Sequence, residues 1–353
     1  MALPSTGPLS LNEIHIEAGG SSGTLCSLND ADIRGIISKS AGTTNSISEY
    51  RGQSAETGLT SGGTINGQAQ RQEITASSFI SSGGTLRIPS NMWVWSDSTS
   101  TAALTIDIPC TIINDGKIIG KGGTGGYGQY PASGYSGVGN GSGQDGGPAI
   151  KINSSVSGVT ITNSSGAYIA GGGGGGGASS VEPANTYAGG GGGAGGGTGG
   201  AGGGVGTGNN GGSGGALNAA GSQYIVPSGV AGINSAPGGQ AGGYGNGSAG
   251  EDNRSGGGGG GGRILPGVIV SGVNSFFVAP GVGGNAGSNG GSGGNTGKAG
   301  GGGGWGAAGG KGYRGTFASA SHQCQGGAGG KAIEDSGNSY TLNNSGTIYG
   351  ATT

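Results

Sequence analysis

Glycine at every third position is the feature that most constrains this chain. One frame places glycine at every third residue from Gly291 to Gly315, and a second does so from Gly281 to Gly293. A helix of the polyproline II type has three residues per turn, so this spacing gives one edge made only of glycine. The run at residues 171–177 has glycine on every edge, which predicts an inner member of a bundle.

Composition limits the alternatives for these tracts. Of 353 residues, 100 are Gly, 31% are hydrophobic and 8% are charged, which argues against one large apolar core. Collagen needs a sustained period and much proline, but Pro totals 11, and a disordered linker would not show defined inserts. The tracts at 120–148, 171–215, 238–262 and 281–330 are interrupted by such inserts. We therefore expect polyglycine II helices packed side by side and hydrogen-bonded through their backbones.

A short unit occurs three times, at residues 111–120, 160–171 and 341–350. Each copy has a short strand, an Asn/Gly turn and a second short strand. Such repeats predict stacked rungs, as in a β-solenoid, in which neighbouring rungs supply the burial that one unit lacks. The last copy brings the chain back to the strands near residue 115. Residues 56–115 also alternate apolar residues with Ser, Thr and Gly turns and are predicted to form strands.

Residues 1–55 have a composition of their own and repeat a capping-box pattern, in which a serine is followed three residues later by an acid. The pairs are Ser10 with Glu13, Ser27 with Asp30, and Ser46 with Glu49. We interpret them as three short helical turns with few core residues of their own, either docking to a partner or forming a small cap on the next domain. The apolar residues predicted to dock are Leu11, Ile14, Leu28, Ile33, Ile47 and Tyr50.

Several function classes are disfavoured by what the sequence lacks. The net charge is −2 without a basic stripe, which disfavours nucleic-acid binding. No apolar run approaches the roughly 20 residues that a membrane span needs, and no signal peptide is visible. His15 and His322 lie in different modules, and adjacent carboxylates make poor acid/base pairs. We therefore expect no catalytic site, no metal and no cofactor, and the chain is predicted not to be an enzyme.

Cysteine usage and the aromatic inserts complete the residue-level analysis. Cys110 and Cys324 are more consistent with isolated thiols than with a pair, although a pairing is left open. Aromatic residues among Ser, Asn and Gly resemble a paratope, so we expect them to bind a receptor. The alternative is that some cover the flanks of the glycine bundle. The predicted receptor-binding residues are Tyr127, Tyr130, Tyr135, Tyr187, Tyr244, Trp305, Tyr313 and Phe317.

From the Asn-Asp-Gly stretch at 114–123 through residues 162–177, the chain resembles the distal tail-fibre adhesins of T-even-like phages. The resemblance covers about residues 105–353, whereas the segment 1–55 differs and looks like a module of assorted phage tail proteins. It implies strands followed by a polyglycine II bundle, with loops at the tip that bind a bacterial outer-membrane protein and set host range. Monomer and trimer both remain open.

The fold predicted from these observations is mostly β and irregular, in four parts. Residues 1–55 form a docking module with helical turns, 56–170 a β-rich rung domain, 171–340 the glycine bundle with receptor loops, and 341–353 a returning strand. The resemblance implies a virion protein at the distal end of a tail fibre or tail tip, made in the host cytoplasm and attached through residues 1–55 to another fibre or tail-tip protein. The alternatives are a structural tail-tip or baseplate spacer and, less favoured, a depolymerase.

Overall fold

A computed structural model describes residues 3–37, 39–40, 42–52, 56–65, 67–127, 141–181, 186–188, 190–195, 283–292, 299–313 and 323–353. This part of the chain is mostly β, with parallel sheets and a few short helices, in agreement with the predicted fold class at that level. The helices are α1 (Leu11–Glu17) and α2 (Ala31–Ile36), with 3₁₀ helices at Ile47–Tyr50 and Ala76–Ser78.

The strands are short. In chain order they are β1 (Glu56–Gly58), β2 (Thr64–Ile65), β3 (Gln68–Gln72), β4 (Ile74–Thr75), β5 (Thr85–Ile88), β6 (Met92–Trp95), β7 (Leu104–Ile106), β8 (Thr111–Asn114), β9 (Lys117–Ile119), β10 (Ile150–Ile152), β11 (Val159–Asn163), β12 (Tyr168–Ala170), β13 (Ser179–Val181), β14 (Thr186–Ala188), β15 (Gly312–Tyr313), β16 (Gln323–Cys324), β17 (Ile333–Glu334), β18 (Tyr340–Asn344) and β19 (Thr347–Tyr349).

Three sheets form the sides of a stacked-rung body. Sheet I has the order β1-β5-β8-β11-β18, sheet II β19-β12-β9-β6-β3-β2, and sheet III β17-β10-β7-β4. The chain visits the sheets in the order I, II, III and then starts again. Rung 1 is therefore β1, β3 and β4; rung 2 is β5, β6 and β7; rung 3 is β8, β9 and β10; rung 4 is β11, β12 and β17; and rung 5 is β18, β19 and a parallel bridge at Thr352.

The predicted repeat is confirmed residue by residue in the stacking of rungs 3, 4 and 5. Ile112 pairs with Ile161, which pairs with Leu342. On sheet II, Ile118 pairs with Ile169, which pairs with Ile348. Inward-facing aliphatic side chains from all three sheets form one buried cluster. Each rung thus buries apolar residues that a single strand-turn-strand unit could not bury alone.

An asparagine ladder runs through the same rungs. The Nδ2 of Asn114 donates to Oδ1 of Asn163 at 2.9 Å, and the Nδ2 of Asn163 donates to Oδ1 of Asn344 at 2.8 Å. Asn114 and Asn163 are fully buried, so these amides have no water to replace a lost partner. The ladder therefore helps to hold the turn between sheets I and II in register.

Ion pairs join the first three rungs on the outside. The Arg87 guanidinium of rung 2 contacts Glu56 of rung 1 at 2.7 Å and Asp115, next to β8, at 2.5 Å. Hydrogen bonding from Arg87 lowers the pKa of Glu56 from its ordinary value. The three groups are partly exposed, so their contribution to stability is modest.

One corner of this body carries the glycine-rich segments. In every rung it lies between the sheet II strand and the sheet III strand. The connection is Glu73 alone in rung 1, residues 96–103 in rung 2, 120–149 in rung 3, and 171–332 in rung 4. Glycine residues of 120–147, which the sequence assigned to the rung domain, form backbone hydrogen bonds with those after 171, which it assigned to the next part.

The helices of the N-terminal module show two of the three predicted capping boxes. Ser10 and Glu13 cap α1 reciprocally, and the Glu49 carboxylate accepts from the Ser46 N–H at 2.7 Å. The middle prediction was wrong in position. Asp30, not Ser27, is the N-cap residue of α2, and the Asp30 carboxylate accepts from the Ser27 N–H at 2.7 Å. The shorter Asp side chain thus closes a turn ahead of the helix.

We predict that Asn163→Ala destabilises the body by about 2 kcal/mol, because it removes one of the two acceptors of the buried Asn114 amide and the donor to Asn344. Urea denaturation followed by circular dichroism measures the effect. Thr160→Ala is the control, since this neighbouring side chain points outward and should change stability by less than about 0.5 kcal/mol. Equal effects of the two substitutions would show that the ladder does not stabilise the rungs.

Candidate functional site

The glycine segments surround one central segment, residues 171–177. Six neighbouring segments hydrogen-bond to it through their backbones. They are residues 121–126, 141–147, 190–194, 300–304, 306–310 and 325–330. The neighbours also bond to one another around the ring; for example, Gly147 donates to Lys121, and Gly309 donates to Gly327. Residues 171–177 are therefore enclosed by other glycine-rich segments.

The hydrogen bonds of the central segment repeat every third residue. Gly172 and Gly175 both donate to segment 141–147, at 2.9 and 2.8 Å. Gly173 and Gly176 both donate to segment 190–194, at 2.7 and 2.8 Å. Gly174 and residue 177 donate to segment 306–310, both at 2.9 Å. The carbonyl groups of residues 172–177 follow the same three-residue repeat and accept in turn from segments 325–330, 121–126 and 300–304.

Close approach of these backbones excludes any side chain. A Cβ atom on Gly172 would lie 1.7 Å from the Lys121 carbonyl oxygen, and one on Gly175 would lie 2.0 Å from the Thr124 carbonyl oxygen. The neighbouring segments show the same restriction; for example, a Cβ on Gly327 would lie 1.9 Å from the Gln144 oxygen. Glycine is therefore required by packing rather than by backbone conformation at these positions.

The segments have a base and an outer end. At the base, Gly171 follows β12 and donates to the Tyr349 carbonyl oxygen at 2.9 Å. At the outer end, residue 177 is followed by the antiparallel hairpin of β13 and β14. A second antiparallel hairpin, β15 with β16, follows segment 306–310 and contacts β13. Tyr127, 41% exposed, lies one residue after Gly126, which bonds to Gly176.

Comparison with known proteins gives a family. The family described as "Phage tail fibre adhesin Gp38" matches residues 71–254, just over half of the chain. The chain belongs to this adhesin family. It is a family of adhesins rather than of enzymes. No curated protein sequence matches the chain.

One solved structure is similar to this adhesin. It is described as the crystal structure of the gp37-gp38 adhesin tip complex of the bacteriophage S16 long tail fiber. The alignment covers 99% of this chain and 100% of that chain, with 18% identity and a TM-score of 0.36. Family membership gives the adhesin a place on a phage tail fibre.

Three of the predicted receptor-binding residues of the adhesin lie at the outer end. Tyr127 is exposed there, Tyr187 lies in β14, and Tyr313 lies in β15. The predictions for Tyr130, Tyr135, Tyr244 and Phe317 fall outside the described residues. The structure thus brings three separate stretches of sequence to one end of the glycine segments.

The prediction that Trp305 binds the receptor was wrong. This residue is fully buried at the base, where the chain turns from segment 300–304 into 306–310, and it cannot contact a receptor. The centroid of its ring lies 6.4 Å from the centroid of the Trp93 ring, in an edge-to-face arrangement, and 6.4 Å from the centroid of the Tyr349 ring. Trp305 therefore anchors the glycine segments on the outer face of sheet II.

The tryptophan cluster was missed by reasoning from composition. Trp93 and Trp95 point outward from β6, and Ile119, Ala170 and Ala194 complete the buried cluster with Trp305. The Lys117 ammonium lies 5.1 Å from the centre of the Trp93 ring, and burial lowers the pKa of Lys117. The sequence gives no signal that separates Trp305 from the exposed Tyr127, because both are flanked by glycine on either side.

The predicted docking residues divide into two groups. Ile14, Ile33 and Tyr50 are fully buried inside the N-terminal module and cannot contact a partner, which corrects the prediction for them. The module therefore has a core of its own. Leu11 and Leu28 are half-buried against this core, and Ile47 is 36% exposed.

The remaining chemistry of the described residues is sparse. Cys110 and Cys324 do not form a disulfide with each other, as the sequence favoured, and burial raises the pKa of Cys110 to about 11. No group of His, Cys, Asp and Glu within the described ranges could hold a metal ion. No helix of this part of the chain is long and apolar enough to cross a membrane.

Gly175→Ala should destabilise the adhesin by roughly 2–3 kcal/mol, because the new methyl group overlaps the Thr124 backbone. Thermal and urea unfolding measure the effect. Gly58→Ala is the matched control, since a Cβ there meets nothing within 4 Å. A Gly175→Ala protein as stable as Gly58→Ala would contradict the close packing described here.

Proposed function

We propose that this adhesin is the receptor-binding tip of a phage tail fibre and that it acts without catalysis. The outer end of the glycine segments binds a bacterial outer-membrane protein and thereby sets host range. One observation carries the proposal. Tyr127, the hairpin β13–β14 and the hairpin β15–β16 all lie at the outer end of the glycine segments, away from the stacked rungs. Protein is preferred over glycan because the aromatic and small polar composition is that of a paratope.

In this proposal, the glycine segments are polyglycine II helices. Their hydrogen bonds repeat every third residue, as expected for a helix with three residues per turn. Such a helix has no internal hydrogen bonds, so all of its N–H and C=O groups are left for neighbours. A segment of seven residues would extend about 22 Å, which separates the outer end from the rungs.

Backbone pairing suits the display of variable loops. The hydrogen bonds that join residues 171–177 to their six neighbouring segments run between backbone groups. We therefore expect these backbone hydrogen bonds to persist when side chains in the hairpins are substituted. A rigid support of this kind also lowers the ordering cost of binding, because the loops are held before the receptor arrives.

Attachment to another tail-fibre or tail-tip protein is assigned to residues 1–55. Since Ile14, Ile33 and Tyr50 are buried, the docking contact falls to exposed aliphatic residues of the same module. These are Ile16, 46% exposed, Leu25, fully exposed, and Ile47, 36% exposed. The virion position at the distal end of the fibre, with synthesis in the host cytoplasm, follows from the same proposal.

Binding of purified protein to host cells tests the outer end. Tyr127→Ala, Tyr187→Ala and Tyr313→Ala, combined in one variant, should weaken binding by about 100-fold or more, because aromatic anchors dominate such interfaces. Thermal stability should stay near that of the parent. Thr160→Ala, on the outer face of sheet I, is the control and should bind as the parent does.

Unchanged binding and host range in the triple variant would contradict the proposal. Loss of virion assembly with unchanged cell binding would instead favour the alternative, a structural tail-tip protein in which the glycine segments act as a spacer. A halo on capsule-forming lawns would indicate a depolymerase, which the proposal does not predict.

Incorporation into virions tests the docking module. Phage that carry Leu25→Ser and Ile47→Ser together should contain roughly tenfold less adhesin per particle, because each serine removes apolar contact area. Immunoblotting of purified particles measures the content. Asn29→Ala, an exposed residue of the same module, is the control. Normal incorporation of the double variant would place the attachment elsewhere.

A further inference from the structure

Rung 5 holds both ends of the long excursion that leaves rung 4. The excursion begins at Gly171, after β12, and ends at Ala332, before β17. The Gly171 N–H donates to the Tyr349 carbonyl oxygen at 2.9 Å. The Ala332 N–H donates to the Ala351 carbonyl oxygen at 2.8 Å. The two acceptors, Tyr349 and Ala351, are two residues apart in rung 5. They hold the points at which the chain leaves rung 4 and returns to it.

The Tyr349 side chain adds contacts with three further parts of the structure. Its ring stacks on Tyr168 of rung 4, with centroids 6.3 Å apart and planes at 8°. It also lies 6.4 Å from the ring of Trp305 at the base turn. A Cβ on Gly287 would lie 3.1 Å from its Cδ1 atom, so the turn at Gly287 packs against the same ring. Tyr349 is therefore the point at which rung 4, segment 300–310 and the turn at Gly287 meet.

Gly350 allows the backbones to meet at this point. Its φ of +108° lies in the region that favours glycine, and a Cβ there would be 2.5 Å from the Gly330 carbonyl oxygen. The Gly306 backbone is also close, since a Cβ on Gly306 would lie 2.3 Å from the Tyr349 carbonyl carbon. Residues 349–350 thus pack closely against both Gly306, where segment 306–310 begins, and Gly330, where segment 325–330 ends.

We propose that residues 340–352 act as a clasp, whose docking on rung 4 orders the glycine segments. Closing a long excursion costs chain entropy, and contacts that join its two ends offset that cost. With the clasp open, the base of the central segment loses its hydrogen bond to Tyr349 and Trp305 loses one wall of its site. The clasp does not depend on what the outer end binds.

A consequence concerns the order of folding. Rungs 2 and 3 precede the long excursion in the chain, and their strands pair without it. The clasp is synthesised after all the glycine segments. Rungs 2 and 3 can therefore form first, and the glycine segments become ordered only when rung 5 docks. Chains that end before the clasp would keep the early rungs and lack an ordered outer end.

Hydrogen exchange with mass spectrometry on the full-length protein tests the clasp. Gly350→Ala should speed exchange in residues 171–177 and 300–310 by about tenfold or more, while residues 85–119 change by less than about twofold. A chain ending at Ser339, which lacks the clasp, should show the same selective loss. Thr341→Ala, an exposed side chain on β18, is the control and should exchange as the parent does.

Two results would overturn the clasp. The first is normal protection of residues 171–177 in the chain that ends at Ser339, or in Gly350→Ala when residues 340–349 exchange rapidly. The second is equal loss of protection in residues 85–119 and 171–177, which would show that rung 5 contributes to general stability and does not act on the glycine segments. If residues 340–349 stay protected in Gly350→Ala, the substitution has not opened the clasp. The chain that ends at Ser339 then provides the test.

Discussion

Hydrogen bonding between glycine backbones is the interaction on which the rest of the structure depends. Residues 171–177 lie inside a ring of six segments and direct their N–H groups to three of them in turn. A protein interior normally gains its stability from apolar side chains, which these residues lack. Here the buried peptide groups satisfy one another, and close van der Waals contact replaces side-chain burial. The restriction to glycine follows, because a Cβ would overlap a neighbouring carbonyl group.

The stacked rungs fix the register in which the glycine segments lie beside one another. Aliphatic side chains fill the interior between the three sheets, and the buried Asn114 and Asn163 amides bond from rung to rung. Because the connections of rungs 3 and 4 leave from the same corner, their glycine segments start one rung apart. The Gly120 N–H, for example, donates to the Ala170 carbonyl oxygen at 2.9 Å. The Trp93–Trp305 contact then fixes the base of the segments on sheet II.

Much of this organisation could be predicted from the sequence, because it depends on local patterns. The run of glycine on every edge predicts the inner segment, and the repeats that begin with Thr and Ile or Leu and carry Asn three residues after the Thr predict the rungs. Burial could not be predicted in the same way. Trp305 and Tyr187 are both aromatic residues near glycine tracts, but a turn at the base places Trp305 inside, whereas Tyr187 lies in a hairpin at the outer end. Ile14, Ile33 and Tyr50 show the same limit, because the N-terminal module closes on its own core. Only the three-dimensional path of the chain distinguishes these cases.

Scalar couplings through hydrogen bonds, measured by NMR on isotope-labelled protein, test the central claim most directly. The account predicts couplings from the Gly172 amide nitrogen to the Gly147 carbonyl carbon, from Gly173 to Ala194, and from Gly174 to Ala307. Chemical shifts of the same residues should be those of the polyproline II backbone conformation. Absence of these couplings, together with chemical shifts typical of an unstructured chain, would contradict the account.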